Sequence, residues 1–142
     1  MENEYICKKL LRVLSLLVFI FILFYIMYTT VLSRETGGTF NYNFQLFWSY
    51  SQDSEVTHYN FWLNTRNVIL FLPLGLLLPI AFSRIKWWTV FLIGLFYSVC
   101  IEVLQLVLKR GYCELDDVFH NTLGCILGYL IMKGIVSIIK EQ

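Results

Sequence analysis

Charged side chains are scarce in this sequence. They make up 15% of the 142 residues, whereas hydrophobic residues make up 58%, and a typical soluble domain carries about 25% charged residues. The formal net charge is only +1, so the chain lacks the basic excess that marks nucleic-acid-binding proteins. These shortages predict an integral membrane protein with no nucleic-acid partner, and the length fits one domain over residues 1–142.

Residues that bind metals or form disulfides are also few. The sequence has four cysteines and two histidines, and no two cysteines form a C-x-x-C pair or another spacing typical of zinc ligands. Two histidines that lie far apart are too few for a histidine-based metal site. We therefore expect no disulfide framework, no metal site and no cofactor.

Long apolar runs are what the sequence has instead. A helix that crosses a bilayer needs about 20 predominantly apolar residues, with a range of roughly 17–25. Four runs approach or satisfy this requirement: residues 10–32, 67–82, 87–108 and 118–139. The pattern predicts an all-α fold in which four transmembrane helices form a single membrane domain.

Basic residues near the ends of these runs indicate an orientation. Seven would lie on the same side as the N-terminus: Lys8, Lys9, Arg12, Arg84, Lys86, Lys133 and Lys140. Four would lie on the other side: Arg34, Arg66, Lys109 and Arg110. Because cytoplasmic loops are enriched in lysine and arginine, we expect both termini in the cytoplasm and residues 33–66 and 110–117 outside.

The long loop over residues 33–66 is rich in aromatic side chains. Nine of them lie between Phe40 and Trp62, and tyrosine and tryptophan favour the headgroup level of a membrane. We expect this segment to lie on the outer interface, in part as helix. Two interpretations stay open: the aromatics form an anchoring belt, or they form a lid or lipid-binding surface.

The third apolar run carries polar side chains on one helical face. Ser98, Glu102 and Gln105 follow the spacing i, i+4, i+7, which places them along one side of a helix. An ionisable residue within a span is costly and by default suggests function. Glu102 is therefore the first candidate for a functional residue.

The fourth run repeats this arrangement. Its polar and small residues follow the spacing i, i+4, i+7, i+11: Asp117, Asn121, Gly124 and Gly128. A short connection makes the two helices antiparallel neighbours, and a rise of about 1.5 Å per residue relates their depths. Gln105 is then expected to face Asn121, and Glu102 to face the gap left by Gly124. Gly124 and Gly128 also form a small-xxx-small pair, which is typical of close helix packing.

The second apolar run is expected to pack beside the polar faces of the third and fourth runs and to complete the same site. Asn67 opens it, and Pro73, about 10 Å deep at 1.5 Å per residue, donates no backbone hydrogen bond. Gly75 permits close approach of another helix. We expect a broken helix whose freed backbone lines a cavity.

These inferences predict one polar cleft that opens outward. Its members would be Asn67, Ser98, Glu102, Gln105, Arg110, Asp117 and Asn121. Structural alternatives stay open, because Gln105 and Asn121 would equally serve to join two helices by hydrogen bonds. Asp116 or Asp117 would equally cap the fourth helix and meet the positive end of its dipole.

Two stretches of the chain match known motifs. Residues 67–78, NVILFLPLGLLL, follow the pattern N-x-x-x-F-x-P-x-G. Residues 101–129, IEVLQLVLKRGYCELDDVFHNTLGCILGY, follow E-x-x-Q, a loop with arginine, and D-D-V-x-x-N-T-x-G-x-x-x-G. On these motifs the chain resembles the VanZ-like family.

The resemblance implies a small bacterial membrane protein. The family's namesake accompanies teicoplanin resistance and lowers the binding of lipid-tailed glycopeptides at the cell surface. By the same resemblance, the family's polar set corresponds to Asn67, Pro73, Gly75, Glu102, Gln105, Arg110, Asp117, Asn121 and Gly124.

The favoured function is a cell-envelope factor. Its cleft would bind a lipid-linked cell-wall precursor, lipoteichoic acid or another wall polymer, and would thereby limit what teicoplanin reaches. Arg110 would hold an anionic group by paired hydrogen bonds, while Glu102 and Asp117 would orient it. The aromatic loop would hold the tail of the ligand among membrane lipids.

An enzyme that modifies an envelope lipid is the alternative. Glu102 would act as general acid or base, with Arg110 on the substrate, and Asp116 with Asp117 would hold a divalent ion against a phosphate. A proton-coupled transporter is less favoured because the sequence has no inverted repeat. An assembly partner for a larger complex is the simplest option, and the oligomeric state is left open.

Overall fold

The computed structural model describes residues 2–51 and 54–140. Its long helices are α1 (Glu2–Met27), α2 (Ser54–Ala81), α3 (Trp87–Leu108) and α4 (Leu115–Lys140). Short strands β1 (Asn41–Asn43) and β2 (Tyr112–Glu114) lie in the connections before α2 and α4, at what we call the loop end. A π-helical turn (Tyr28–Leu32) extends α1, and a 3₁₀ turn (Trp48–Tyr50) precedes α2. The side chains of Lys8 and Lys140, which entered the charge count, lie outside the described residues.

The four helices are long and apolar enough to cross a membrane, which confirms the predicted all-α membrane fold. α3 has the predicted bounds, residues 87–108. α1 and α4 start earlier than their apolar runs, at residue 2 instead of 10 and at residue 115 instead of 118. Lysine, glutamate and leucine favour helix whatever their hydropathy, so hydropathy alone underestimates these helices.

α2 differs most from the prediction. It begins at Ser54 and not at residue 67, so the predicted start of the span is wrong, while the expectation that the preceding segment is helical in part is confirmed by residues 54–66. That stretch contains no proline or glycine that would end a helix. Asn60, Asn64 and Asn67 are spaced i, i+4, i+7 and are 8%, 4% and 8% exposed. The helix therefore buries a polar face here, which a search for apolar runs does not detect.

The expected break in α2 is also wrong. The helix continues through Pro73 and Pro79, although each proline lacks the N–H of a helical hydrogen bond. The side chains of Phe71, Leu74 and Leu78 are almost fully buried around these prolines. Packing against neighbouring helices supports the backbone where proline weakens it.

Glycines bring α2 and α4 into backbone contact. A Cβ atom at Gly75 would collide with the carbonyl of Cys125, and one at Gly128 would collide with the carbonyl of Leu72. The two helices therefore pack more closely than any side chain at these positions would allow, as small-xxx-small pairs do.

Gly124 belongs to the same contact. A Cβ atom there would meet the backbone of Val68 on α2. The expectation that Gly124 leaves a gap for Glu102 is therefore wrong, because α2 occupies the space beside it.

Strands β1 and β2 pair in parallel, which no pattern in the sequence predicted. Tyr42 pairs with Cys113 at the centre of the register. This pairing places residues 40–51, which we call the aromatic segment, against the connection between α3 and α4. Phe40, Tyr42 and Phe44 remain 61% exposed, as side chains at a membrane interface would be, and their place on the outer interface stays a prediction.

Candidate functional site

Asp116, at the start of α4, anchors the aromatic segment. Its side chain is 1% exposed and accepts a hydrogen bond from the backbone N–H of Phe47. The other carboxylate oxygen accepts from Ser49, at 3.2 Å from the backbone N–H and 2.6 Å from the hydroxyl. Asn64 of α2 donates to the same hydroxyl at 3.0 Å. Both oxygens of Asp116 are thus engaged by the loop and do not face a ligand with Asp117.

His120, one turn further along α4, makes a second link. Its Nδ1 lies 2.6 Å from the carbonyl of Asp116, and since a carbonyl only accepts, Nδ1 carries a proton. Its Nε2 lies 2.8 Å from the hydroxyl of Tyr50. Across residues 2–51 and 54–140, no group of three histidine, cysteine, aspartate or glutamate side chains is placed to hold a metal ion. His120 therefore fastens the aromatic segment to α4.

Glu102 is bonded to the strand before α4. Its side chain is 3% exposed, and Oε2 accepts a hydrogen bond from the backbone N–H of Glu114 at 2.9 Å. Since β2 leads directly into α4, this bond ties the interior of α3 to the beginning of α4.

Gln105 and Arg110 hold the end of α1. Gln105 Nε2 donates to the carbonyl of Thr30 at 3.0 Å, and Arg110 Nη1 donates to the carbonyl of Leu32 at 2.8 Å. The last carbonyls of a helix have no partner within the helix, and the π-helical turn ends here. These two side chains cap α1 from the neighbouring helix and loop.

The expected contact between Gln105 and Asn121 is wrong. Asn121 Nδ2 instead donates to the hydroxyl of Ser98 at 2.9 Å. Ser98 and Asn121 are 0% and 4% exposed, so this bond joins α3 to α4 inside the bundle. This matches the alternative in which polar residues join helices.

A cavity of about 170 Å³ lies between the aromatic segment, α2 and the start of α4; we call it the arginine cavity. Of the predicted cleft residues, Asn67 and Asp117 line it, and Asn67 donates to the Asp117 carboxyl at 2.7 Å. The other predicted members do not line it, because they are buried within the bundle or bonded elsewhere: Ser98, Glu102, Gln105, Asn121 and Arg110. Two of the seven predicted cleft residues thus line the arginine cavity. The other five make contacts within the protein.

Arg34 and Arg66 supply the positive charge of this cavity. Both interact electrostatically with Asp117, yet neither guanidinium group makes a hydrogen bond or an ion pair to any residue in the described part of the chain. Gly111 makes room for Arg34, because a Cβ atom there would collide with the guanidinium group. Its φ of +133° also favours glycine.

From their place in the sequence, these two arginines were expected only to contribute to topology. Two signals pointed to them: Arg66 directly precedes Asn67, and Arg34 directly follows the first apolar run. Both therefore fall at the membrane end where the polar residues converge.

Glu114 limits the negative charge that faces the arginines. Burial and the nearby carboxyls of Asp117 and Asp116 raise the pKa of Glu114 to about 7. Arg34 opposes this rise by favouring the ionised form. A carboxyl group with this pKa is about half protonated at neutral pH, so it offsets the arginines only in part.

Trp48 adds an unused donor. Its Nε1 is buried and has no hydrogen-bond partner in the described structure, and the residue lines the arginine cavity. A buried donor without a partner costs about 1–3 kcal/mol. An anionic acceptor near Arg34 and Arg66 would recover that cost.

A second space adjoins the cavity at Arg66. A groove of about 290 Å³ between α1 and α2 is lined by Tyr25, Thr29, Thr30, Leu70 and Arg66. Arg66 therefore borders both the arginine cavity and this α1–α2 groove.

Comparison with known proteins agrees with this architecture. The sequence model of the VanZ/LLP1 family matches residues 11–139. Protein VanZ from Enterococcus faecium is 39% identical over 62 residues, which are 44% of this chain and 38% of the relative. The matched stretch thus spans less than half the length of that relative, and no solved structure matches the chain. Because the family model covers nearly the whole sequence, the chain belongs to the VanZ/LLP1 family.

Proposed function

We propose that this protein is a cell-envelope factor whose arginine cavity binds the anionic group of a lipid-linked or wall-polymer ligand. By occupying or displacing that ligand, it lowers the access of teicoplanin and related lipoglycopeptides to the cell surface. The observation that carries the proposal is the pair of guanidinium groups, Arg34 and Arg66, which line one cavity without an ion-pair partner among the described residues. Guanidinium groups bind phosphate and carboxylate through paired, charge-assisted hydrogen bonds.

The size of the cavity limits the ligand. Sites for drug-sized molecules measure about 300–1,000 Å³, whereas this cavity holds about 170 Å³. It suits a headgroup such as a phosphate and not a whole glycopeptide. The α1–α2 groove of about 290 Å³ on the other side of Arg66 would take the adjoining part of the chain, so a lipid is favoured over a soluble anion.

The proposed roles differ from those expected for Arg110 and the aromatic loop. Arg110 is bonded to the carbonyl of Leu32, so Arg34 and Arg66 take its proposed role at the anion. The aromatic segment closes the cavity through Trp48 and Ser49. With both termini in the cytoplasm, the cavity would open at the outer surface, where envelope polymers are assembled.

The test is the binding of fluorescent teicoplanin to Gram-positive cells that express the protein. Wild type is expected to lower binding relative to empty vector, and Arg34→Gln/Arg66→Gln is expected to restore it. Lys109→Gln is the matched control, because it removes a cation at the same loop end that does not line the cavity. The ammonium group of Lys109 lies 4.6 Å from the centroid of the Phe40 ring instead. Membrane levels of all variants must be equal. If wild type leaves teicoplanin binding unchanged, the link to antibiotic access is lost.

An enzymatic role has one specific observation in its favour. Glu114 lines the cavity and has a pKa of about 7, which is near the optimum for general acid–base catalysis at neutral pH. Glu114 would then replace Glu102 as the proton-transfer group. Incubation of defined envelope lipids with the protein would give a mass change that Glu114→Gln abolishes; unaltered lipids would exclude this alternative.

A further inference from the structure

A basic groove lies at the end of the bundle opposite the loop end. It has a volume of about 660 Å³ and is bordered by Arg12 of α1 and by Arg84 and Lys86 of the connection between α2 and α3. This volume lies within the range of about 300–1,000 Å³ that is typical of small-molecule sites. No part of the proposed function uses this groove.

Among the described residues that line the groove, no negative charge balances the positive charge. Its described lining contains three cations and no carboxyl group, whereas Glu114 and Asp117 face the arginines of the arginine cavity. α3 begins here with Lys86 as its N-cap and no acidic residue in its first turn, so the positive end of its dipole adds to the potential. An unbalanced potential of this kind attracts anions.

The floor of the groove is apolar. Ala81, Ile85 and Ile93 line it, and the rings of Phe82 and Trp88 border it with 51% and 48% of their surface exposed. Tryptophan at the end of a span marks the headgroup level of a membrane. The groove thus combines an apolar surface for acyl chains with cations at the depth of phosphate groups.

We propose that this basic groove binds an anionic glycerophospholipid, with the phosphodiester headgroup held by Arg12, Arg84 and Lys86. The acyl chains lie on the apolar floor between α2 and α3. A lipid is the occupant because a free anion would leave that floor in contact with water. Basic pockets between membrane helices are known to hold anionic headgroups.

The experiment titrates phosphatidylglycerol into phosphatidylcholine nanodiscs that contain the full chain and measures lipid retained by native mass spectrometry. Wild type is expected to prefer phosphatidylglycerol. Arg84→Gln/Lys86→Gln is expected to weaken its apparent affinity at least about tenfold, since each basic residue near an anionic headgroup contributes about fivefold in affinity.

Three controls decide where the lipid binds. Lys133→Gln removes a cation on the same side of the membrane but outside the groove, and should change the affinity less than about twofold. Arg34→Gln/Arg66→Gln alters the arginine cavity and the adjoining α1–α2 groove but not the basic groove, and should retain the preference, so this test is independent of the proposed function. Arg84→Lys/Lys86→Arg keeps both charges and should retain it as well.

Three results would overturn the proposal. In one, Arg84→Gln/Lys86→Gln binds phosphatidylglycerol as wild type does. In another, Lys133→Gln loses as much affinity as the double variant, which would show that only the general charge of that membrane side attracts the lipid. Binding of an acidic peptide with no phosphatidylglycerol preference would likewise contradict a lipid site.

Discussion

The carboxylate of Glu102 accepts a hydrogen bond from the backbone N–H of Glu114 at 2.9 Å. This relationship gives a structural reason for a carboxylate within the apolar third helix. It fixes β2 beside α3, and β2 in turn positions Glu114 in the lining of the arginine cavity. Glu102 therefore influences the arginine cavity by holding the backbone of Glu114 in place, and its own side chain does not line the cavity.

Removal of the Glu102 acceptor should destabilise the protein. In Glu102→Ala the N–H of Glu114, which is partly buried, loses its partner, at a cost of up to about 1–3 kcal/mol. Glu102→Gln retains an acceptor oxygen and should cost less. Thermal unfolding in detergent measures both, with the exposed Glu35→Ala as control. An unchanged unfolding midpoint for Glu102→Ala would show that the bond contributes nothing.

Loss of the Gln105 amide should loosen the end of α1. Gln105→Ala removes the bond to the carbonyl of Thr30, and a typical bond contributes about 0.5–1.5 kcal/mol. Amide hydrogen exchange at residues 28–33 should accelerate by up to about tenfold. The exposed Gln45→Ala should leave these rates unchanged. Equal protection in both variants would mean that α1 is held by other contacts.

The glycines between α2 and α4 should not tolerate alanine. A Cβ atom at Gly75 or Gly128 meets the backbone of the opposite helix, and overpacking of this kind costs about 1–3 kcal/mol. Gly134→Ala is the control on α4, because a Cβ atom there would have no atom of the described residues within 4 Å. It should leave stability unchanged or raise it by up to about 1 kcal/mol through helix propensity. Similar unfolding midpoints for Gly75→Ala and Gly134→Ala would contradict the close packing.

Glu114 should make stability depend on pH. Its pKa is about 7 in the folded protein against an ordinary value of 4.5, so the folded state holds its proton more tightly than the unfolded state. The resulting stability is fully present below about pH 4.5 and is lost as the pH rises through about 7. The unfolding midpoint should fall over this range in wild type, and the fall should be smaller in Glu114→Gln. Parallel curves for the two proteins would exclude a raised pKa.

Local patterns predicted a large part of this fold. Four helices followed from apolar runs, and α3 has the expected bounds. Asn67 and Asp117, two residues that the sequence assigned to one site, are also in contact, although the cleft itself stays a prediction. These features were predictable because the helices depend on apolar runs that are local in the sequence. Asn67 and Asp117 were grouped because both belong to short sequence motifs.

The remaining features depend on tertiary contacts. Gln105 bonds to Thr30, a residue 75 positions away, and helical spacing alone cannot identify a partner on a third helix. Asn60 and Asn64 lie on the first part of α2, residues 54–66, which hydropathy does not detect because its buried face is polar. Arg34 can occupy its position because Gly111 has no side chain there. The spacing of residues in the sequence does not predict this contact.

The most direct test of the central claim measures whether the arginine cavity binds an anionic envelope lipid. Purified full chain in phosphatidylcholine nanodiscs is titrated with polyprenyl phosphate, using wild type, Arg34→Gln/Arg66→Gln and Lys109→Gln. Hydrogen bonds to charged groups contribute about 1.5–3 kcal/mol, so the double variant should lose at least about tenfold in affinity, while Lys109→Gln should bind as wild type does. Equal affinity for wild type and the double variant would contradict the account.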